Sequence, residues 1–293
     1  MNTKNIRPLL IIDTPYLLFR SYYGLPRSIT DDDKRPVNAL LGTVNTVLAM
    51  IAEWQPRAVV HCMGPDAAAY RVELYPAYHA DRVEALPEDL DWQFGEAPDL
   101  FEAFGWRTVH SEMEADDLLY TLASSETRAG GKTLILTGDR DLFQCASDSV
   151  SVLWLKGGVR GAEVMGPAEV ERHYGIPPEL VPDFIALRGD PSDGLPGAKG
   201  IGAKTAAELL RRYGSLEDTI AGALRERSPR IRAALRDDAD LLRDFKDIAT
   251  LRRVKGVRRP ADRSTNFERG AAAARARGMR RLAERVEQMA AGR

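Results

Sequence analysis

Cysteine is almost missing from this chain of 293 residues. Cys62 and Cys145 are the only two, too few for a disulfide framework or, alone, a zinc site. Long apolar runs are missing as well: Leu9 to Ile12 is far too short to cross a bilayer. Met1 to Pro8 lacks the apolar core of a secretory signal. No repeat at solenoid spacing occurs, and the only compositional bias is an Ala/Arg-rich end. A reduced, cytoplasmic protein with no membrane span is therefore expected. The length suits one large α/β domain and a smaller one, and 44% hydrophobic with 29% charged residues suits a globular chain.

The net charge of −2 conceals an asymmetry. Leu251 to Arg293 holds 13 Lys and Arg against 4 Asp and Glu, a balance of +9, which leaves −11 on the rest. An acidic body repels DNA until cations neutralise it, whereas an Arg-rich end reads as a phosphate-seeking tail or as a solvated surface helix.

Three apolar runs have the length and flanks of buried parallel strands: Pro8 to Ile12, Arg57 to His61 and Thr133 to Thr137. A fourth is expected at Val150 to Leu155. Between them, Val37 to Trp54 has helical periodicity, and Asp99 to Phe104 and Ala115 to Ser125 read as helices. This alternation predicts a mostly parallel, doubly wound α/β sheet. Val83 to Pro98, with Pro87, Gly95 and Pro98, reads as a long, partly helical excursion. After Gly166-Pro167 short helices separated by Gly and Pro predict a helical second domain. The expected division is a sheet domain at 1–165, a helical domain at 166–255 and a basic tail at 256–293.

Chemistry concentrates at the strand ends. Asp13 follows the first strand, and Asp139 and Asp141 follow the third in Thr137-Gly-Asp-Arg-Asp141. In open parallel sheets, ligands bind outside the carboxyl ends of the strands. Glu114, Asp116 and Asp117 open the helix beginning near Ala115, whose N-terminus offsets part of their repulsion. Each piece alone also suits a cap or a charged helix start. Together they need protons or cations, and hard divalent ions such as Mg²⁺ or Mn²⁺ fit oxygen ligands. Two such ions about 3.5–4 Å apart can activate water and stabilise a leaving oxygen. Phosphatases and transferases would fit this pattern as well as nucleases.

A glycine-rich run, Leu187-Arg-Gly-Asp-Pro-Ser-Asp-Gly-Leu-Pro-Gly-Ala-Lys-Gly-Ile-Gly-Ala-Lys-Thr205, narrows the choice. Gly197, Gly200 and Gly202 let the backbone approach a ligand, a helix starts near Ala203, and Lys199, Lys204 and Thr205 stand beside it. Amides at such a start cradle phosphate.

With this run the sequence resembles the 5′-nuclease family, the flap endonucleases and the N-terminal domain of bacterial DNA polymerase I. The resemblance covers roughly residues 8 to 250 and rests on six ordered blocks. They are the Ile-Asp start with Arg20, Arg35-Pro-Val-Asn-Ala-Leu-Leu-Gly42, Tyr70-Arg-Val-Glu-Leu-Tyr-Pro-Ala-Tyr78, Glu114-Ala-Asp-Asp117, Leu136-Thr-Gly-Asp-Arg-Asp-Leu142 and the glycine-rich run. It implies a PIN-like sheet domain, an arch for a single strand near 80–98, and a helix–hairpin–helix-like (H3TH) module that holds duplex DNA. It also implies that Asp13, Glu114 and Asp116 serve one metal ion, while Asp117, Asp139, Asp141, Asp190 and Asp193 serve or surround a second, with K⁺ at the hairpin. A stand-alone bacterial 5′-nuclease, monomeric and active on DNA with 5′ flaps, overhangs or nicks in replication or repair, is the expectation.

Two departures stand out. Where the family's second strand ends in Asp, this chain has Met63, a poor Mg²⁺ ligand, with Asp66 nearby as a substitute. Where the family has Lys after Tyr, this chain has His79, a cation only when protonated, with Arg71 and Arg82 as permanent charges beside it. Arg20, His79, Arg71 and Arg82 are the expected catalytic group, and Tyr22 and Tyr23 are expected either to stack on a base or to pack within the protein. A structure-selective DNA binder with little turnover and a metal-dependent ribonuclease are the competing readings.

Overall fold

The computed structural model describes residues 7–80, 85–156 and 161–291. In chain order its elements are β1 (Leu9–Asp13), α1 (Thr14–Gly24), α2 (Asn38–Trp54), β2 (Ala58–Met63), α3 (Ala69–Leu74), α4 (Glu88–Ala103), β3 (Arg107–His110), α5 (Ala115–Arg128) and β4 (Thr133–Thr137). They continue with β5 (Val150–Trp154), β6 (Glu163–Met165), α6 (Pro167–Tyr174), α7 (Val181–Arg188), α8 (Ala203–Tyr213), α9 (Leu216–Ala221), α10 (Pro229–Asp237), α11 (Ala239–Ala249), α12 (Phe267–Ala276) and α13 (Arg280–Ala291). The chain divides into two compact units. Unit 1 is Met1–Gly64, Ala85–Gly138 and Val254–Arg293; unit 2 is Pro65–Glu84 and Asp139–Arg253.

Unit 1 is built on a wholly parallel sheet in the order β3-β2-β1-β4. β1, β2 and β4 are buried along their whole length, which is why their sequences read as continuous apolar runs without alternation. The register sets Asp13 beside Cys62 and Met63 beside His110. β3, with its exposed and half-buried residues, carried no apolar run and escaped the sequence reading. The excursion expected at Val83 to Pro98 is mostly one helix. α4 runs through Pro98, because burial of Leu90, Gln93, Ala97, Leu100 and Phe101 on one face outweighs the hydrogen bond lost at the proline. Residues 81–84 of the expected arch lie outside the described residues.

The segment read as a basic tail folds onto unit 1. Its first part, 254–266, bonds from Val254 N to Thr121 Oγ1 (2.9 Å), from Arg263 N to the Arg57 carbonyl (2.9 Å) and from Asn266 N to the Phe104 carbonyl (2.8 Å). α12 and α13 follow as a hairpin, with Asn266 capping the first through its side chain. Phe267, Ala271, Ala274, Leu282, Ala283 and Val286 form its buried side.

Unit 2 carries the antiparallel β5–β6 ribbon and a set of short helices. Their ends follow local rules. Glu169 reaches back to the Gly166 amide at the start of α6, which closes at Gly175 with φ +74°. Ser215 and Ser228 cap α9 and α10. Phe184, Ile185, Leu187, Leu209, Leu210, Leu242, Phe245 and Ile248 supply the core. Among the described residues no helix is long and apolar enough to cross a membrane.

Candidate functional site

In unit 1 the acidic residues stand where strands end and helices begin. Asp13 is the last residue of β1 and the cap of α1. Its Oδ1 accepts from Tyr16 N at 3.1 Å and its Oδ2 from Thr137 Oγ1 at 2.7 Å. Burial pushes its carboxyl up to about 6, against the pull of those two hydrogen bonds. Glu114 is the buried N-cap residue of α5, followed by Asp116 and the fully buried Asp117 in the first turn. Between them lies Cys62, whose thiol is pushed up by burial and further by the carboxylates of Asp13 and Asp116.

Two glycines that the sequence reading passed over make this packing possible. A Cβ on Gly64, just past β2, would stand 2.2 Å from the Met113 carbonyl oxygen and 2.9 Å from the Ala115 nitrogen. A Cβ on Gly138, just past β4, would stand 1.9 Å from the Tyr16 ring. Only glycine lets the start of α5 and the Tyr16 ring close over the strand ends. A glycine directly after each strand was the available signal.

Unit 2 holds the other acidic group. Asp139 accepts from Asp141 N at 2.8 Å. Asp141 is buried, and its carboxyl lies well above the usual range, first through burial and then through Asp139, Asp193 and Asp190, with Arg188 opposing. Asp190 accepts from Arg188 Nη2 at 2.7 Å, from Ser192 N at 3.0 Å and from the Ser192 hydroxyl. Asp193 is bonded through Oδ1 to His79 Nε2 at 3.0 Å.

Among the described residues, no three His, Cys, Asp or Glu side chains stand close enough to cage an ion as they are. Their oxygens are turned to local partners instead: an amide and a hydroxyl for Asp13, a guanidinium and a serine for Asp190. The donor set nonetheless fits a hard divalent cation. It is all oxygen apart from a buried thiol, and in unit 2 three carboxylates load a fourth with repulsion that a cation would relieve. Met63 closes β2 as expected of the strand, with its thioether buried. Asp66, weighed as its substitute, belongs to unit 2, where its carbonyl faces His79.

The glycine-rich run forms a tight hairpin ahead of α8. Gly189, Gly194, Gly197 and Gly200 all have positive φ. A Cβ on Gly197 would stand 2.2 Å from Gly189 N, so the two arms of the turn touch through backbone alone. Gly202, in extended conformation, starts α8 without a side-chain cap. Lys199 and Lys204 are exposed and Thr205 half-exposed. A residue the sequence reading missed stands over this turn: Arg230, whose Nε would be 2.6 Å from a Cβ on Gly200. Thirty residues of separation hid it.

Other expected site residues are placed differently. Tyr22 is buried, and its hydroxyl donates to Asp89 at 2.8 Å, so it packs edge-on beneath Tyr23; Tyr23, 71% exposed, is the ring with an open face. Arg71 is 2% exposed and donates through Nε to the Ile248 carbonyl at 2.9 Å, a structural anchor between α3 and α11. Arg20 lies half-buried on α1. Arg82 lies outside the described residues.

Comparison with known proteins decides the family. Residues 8–175 match the model of the 5′-3′ exonuclease N-terminal resolvase-like domain, and residues 176–265 that of the 5′-3′ exonuclease C-terminal SAM fold. The chain belongs to the 5′-3′ exonuclease family. A 5′-3′ exonuclease of Mycobacterium tuberculosis is 40% identical over 236 residues, 74% of either chain. One from Streptomyces coelicolor is 38% identical over 221 residues, covering 71% of this chain and 72% of its own. The chain also matches DNA polymerase I of Mycobacterium tuberculosis at 36% identity, spanning 24% of that longer protein. Among solved structures, T5 5′-exonuclease with bound zinc aligns over 96% of this chain and 99% of its own, with a TM-score of 0.68 at 21% identity, a likeness of fold. A bacteriophage T5 flap endonuclease in complex with DNA and metal ions aligns over 97% and 99%, with a TM-score of 0.68 at 20% identity.

Proposed function

We propose that this 5′-3′ exonuclease family member hydrolyses DNA phosphodiester bonds at 5′ ends or 5′ flaps, with Mg²⁺ or Mn²⁺, in replication or repair. The observation that carries the reading is in unit 2: Asp141 is held among Asp139, Asp190 and Asp193, the last two part of the same run that makes the glycine hairpin. Cation ligands and a phosphate cradle thus share one stretch of backbone. Bound divalent ions would neutralise the phosphate and activate water, leaving a 5′-phosphate and a 3′-hydroxyl. Asp13, Glu114, Asp116 and Asp117 in unit 1, and Asp139, Asp141, Asp190 and Asp193 in unit 2, are the ligand candidates.

Residues 166–255 hold duplex DNA in this reading. The uncapped amides at the start of α8 and the side chains of Lys199, Lys204 and Thr205 meet a phosphate, with K⁺ accepted by carbonyls of the hairpin. The sheet domain at 1–165 carries the remaining ligands, and Tyr23 rather than Tyr22 offers a face to a base. A cytoplasmic monomer acting on flaps, overhangs or nicks completes the proposal.

The test is cleavage of labelled 5′-flap DNA in Mg²⁺, in Mn²⁺ and with a chelator, beside an Asp139→Ala variant. Metal-dependent cleavage near the junction, lost in the variant, is expected. Tight binding without cleavage in either metal would establish a DNA-binding protein instead, and preferential cleavage of an RNA flap a ribonuclease.

A further inference from the structure

His79 occupies an unusual position in unit 2. Its φ of +53° lies in the left-handed region, which is strained for a residue with a Cβ and persists only where the surroundings fix it. Here they do. The His79 amide donates to the Asp193 carbonyl at 3.3 Å. A Cβ on Gly194 would lie 2.8 Å from the Ala77 carbonyl oxygen, so the backbone of 77–79 is docked directly on the turn that carries Asp193.

The ring is fixed as firmly. It stacks on Tyr78 with centroids 4.0 Å apart and planes 15° apart, and the residue is 8% exposed. Nδ1 donates to the Asp66 carbonyl at 2.7 Å; a carbonyl only accepts, so the hydrogen is on that nitrogen. The other polar atom, Nε2, stands 3.0 Å from Asp193 Oδ1, and since a carboxylate oxygen also only accepts, that bond is made with a hydrogen on Nε2 as well. Both nitrogens are thereby committed, and a contact from this ring to a phosphate would break one of the two bonds.

We infer that His79 is a positioning residue, which fixes the direction of the Asp193 carboxylate for the divalent-cation site of unit 2 and does not itself act on the DNA. The inference rests on the metal reading above. It follows a general pattern: carboxylates that ligate metals are oriented by hydrogen bonds from groups behind them, and loss of such a partner weakens affinity by about 10–100-fold. Asp193 is the ligand candidate that receives this bond. It sits half-buried in a short turn, and its charge bears on Asp141.

The experiment is Mn²⁺ binding to the full chain without DNA, by calorimetry, for the parent, His79→Asn and His79→Gln, with thermal melts alongside. Asn tolerates the left-handed backbone and keeps a donor near the Asp66 carbonyl, but is too short for Asp193. Gln extends an amide to where Nε2 stands. His79→Asn is expected to weaken one class of Mn²⁺ site by about 10-fold or more and leave any other class unchanged. His79→Gln is expected to recover most of the loss, and His79→Asn added to Asp193→Asn to cause no further loss. A parent-like Mn²⁺ isotherm for His79→Asn with cleavage lost would overturn the inference and assign the ring to the substrate. Equal loss in His79→Gln and His79→Asn would overturn it too. A parent protein that binds no Mn²⁺ at all would remove the metal reading itself, a different result from either.

Discussion

Two regions of this protein are rich in cations, and they use them in opposite ways. In the C-terminal part of unit 1 five arginines are spent on the protein. Arg259 bonds to Glu126 (2.7 Å), Arg263 to Glu102 (2.6 Å), Arg275 to Glu287 (2.7 Å), Arg277 to Glu96 (2.9 Å) and Arg280 to Asp32 (2.9 Å). In unit 2, Lys199, Lys204, Arg227 and Arg230 are exposed, and among the described residues they form no ion pair. The charge count along the sequence favours the first region as a DNA track; the pairing lowers that excess, since each bonded arginine is already matched by a carboxylate. Net charge measures how many cations a segment has, whereas phosphate binding depends on how many are left over.

The sharpest way to break this comparison is at Glu126, the 1% exposed carboxylate that receives Arg57 and Arg259. Glu126→Ala removes the buried partner of Arg57, leaves it only the Pro260 carbonyl and Asp262, and is expected to cost about 1.5–3 kcal/mol of stability in urea denaturation. DNA affinity, measured where the variant is folded, stays at the parent value. A variant with parent stability and weakened DNA binding would reverse the roles assigned to the two regions.

The hairpin side is tested by replacing Lys199, Lys204 and Arg230 with Ala together. DNA affinity is expected to fall and the slope of log affinity against log salt to shrink by about 2–3, close to 0.9 per lost phosphate contact. The melting temperature stays unchanged, since none of the three is paired. An unaltered slope would remove this surface from the DNA track.

Acid sharpens the same contrast. Burial raises the Glu126 carboxyl, and the hydrogen bonds and charges of Arg57 and Arg259 outweigh it, so its pKa ends below the ordinary 4.5. A depressed carboxylate contributes stability that is present above the unfolded value and lost as pH falls through the folded one. Stability should therefore fall as pH drops below 4.5, and Glu126→Gln should flatten that decline in denaturation curves taken between pH 7 and pH 3. The smallest effect is expected at Arg280→Ala. Its pair with Asp32 is exposed on both sides, so stability should move by less than about 1 kcal/mol and the salt slope not at all.

What was legible in the sequence has a physical common factor. β1, β2 and β4 announced themselves because strands buried on both faces must be apolar throughout, and the acids after them because strand ends are where an open sheet binds ligands. β3 did not, since it has no buried residue. α4 hid behind Pro98, whose penalty is local while the packing that overrides it is not. Tyr22 and Tyr23 are alike as residues, and only the third dimension shows that Asp89 holds one of them inward. The tail was legible as charge and illegible as structure, because its partners Glu126, Glu102 and Glu96 are more than 100 residues away.

One feature of the chain path bears on how the protein is made. Unit 2 is finished by Arg253, but unit 1 waits for Val254–Arg293. Arg57, just ahead of β2, meets the Pro260 carbonyl and Asp262 across more than 200 residues of chain. Emerging from a ribosome at about 5–20 residues per second, the parallel sheet spends roughly 6–23 seconds without the segment that brings Asp262 to its buried arginine and covers its aromatic cluster of Phe101, Phe104 and Trp106. The helical unit, second in the sequence, is thus the first able to close, and the nuclease sheet the last.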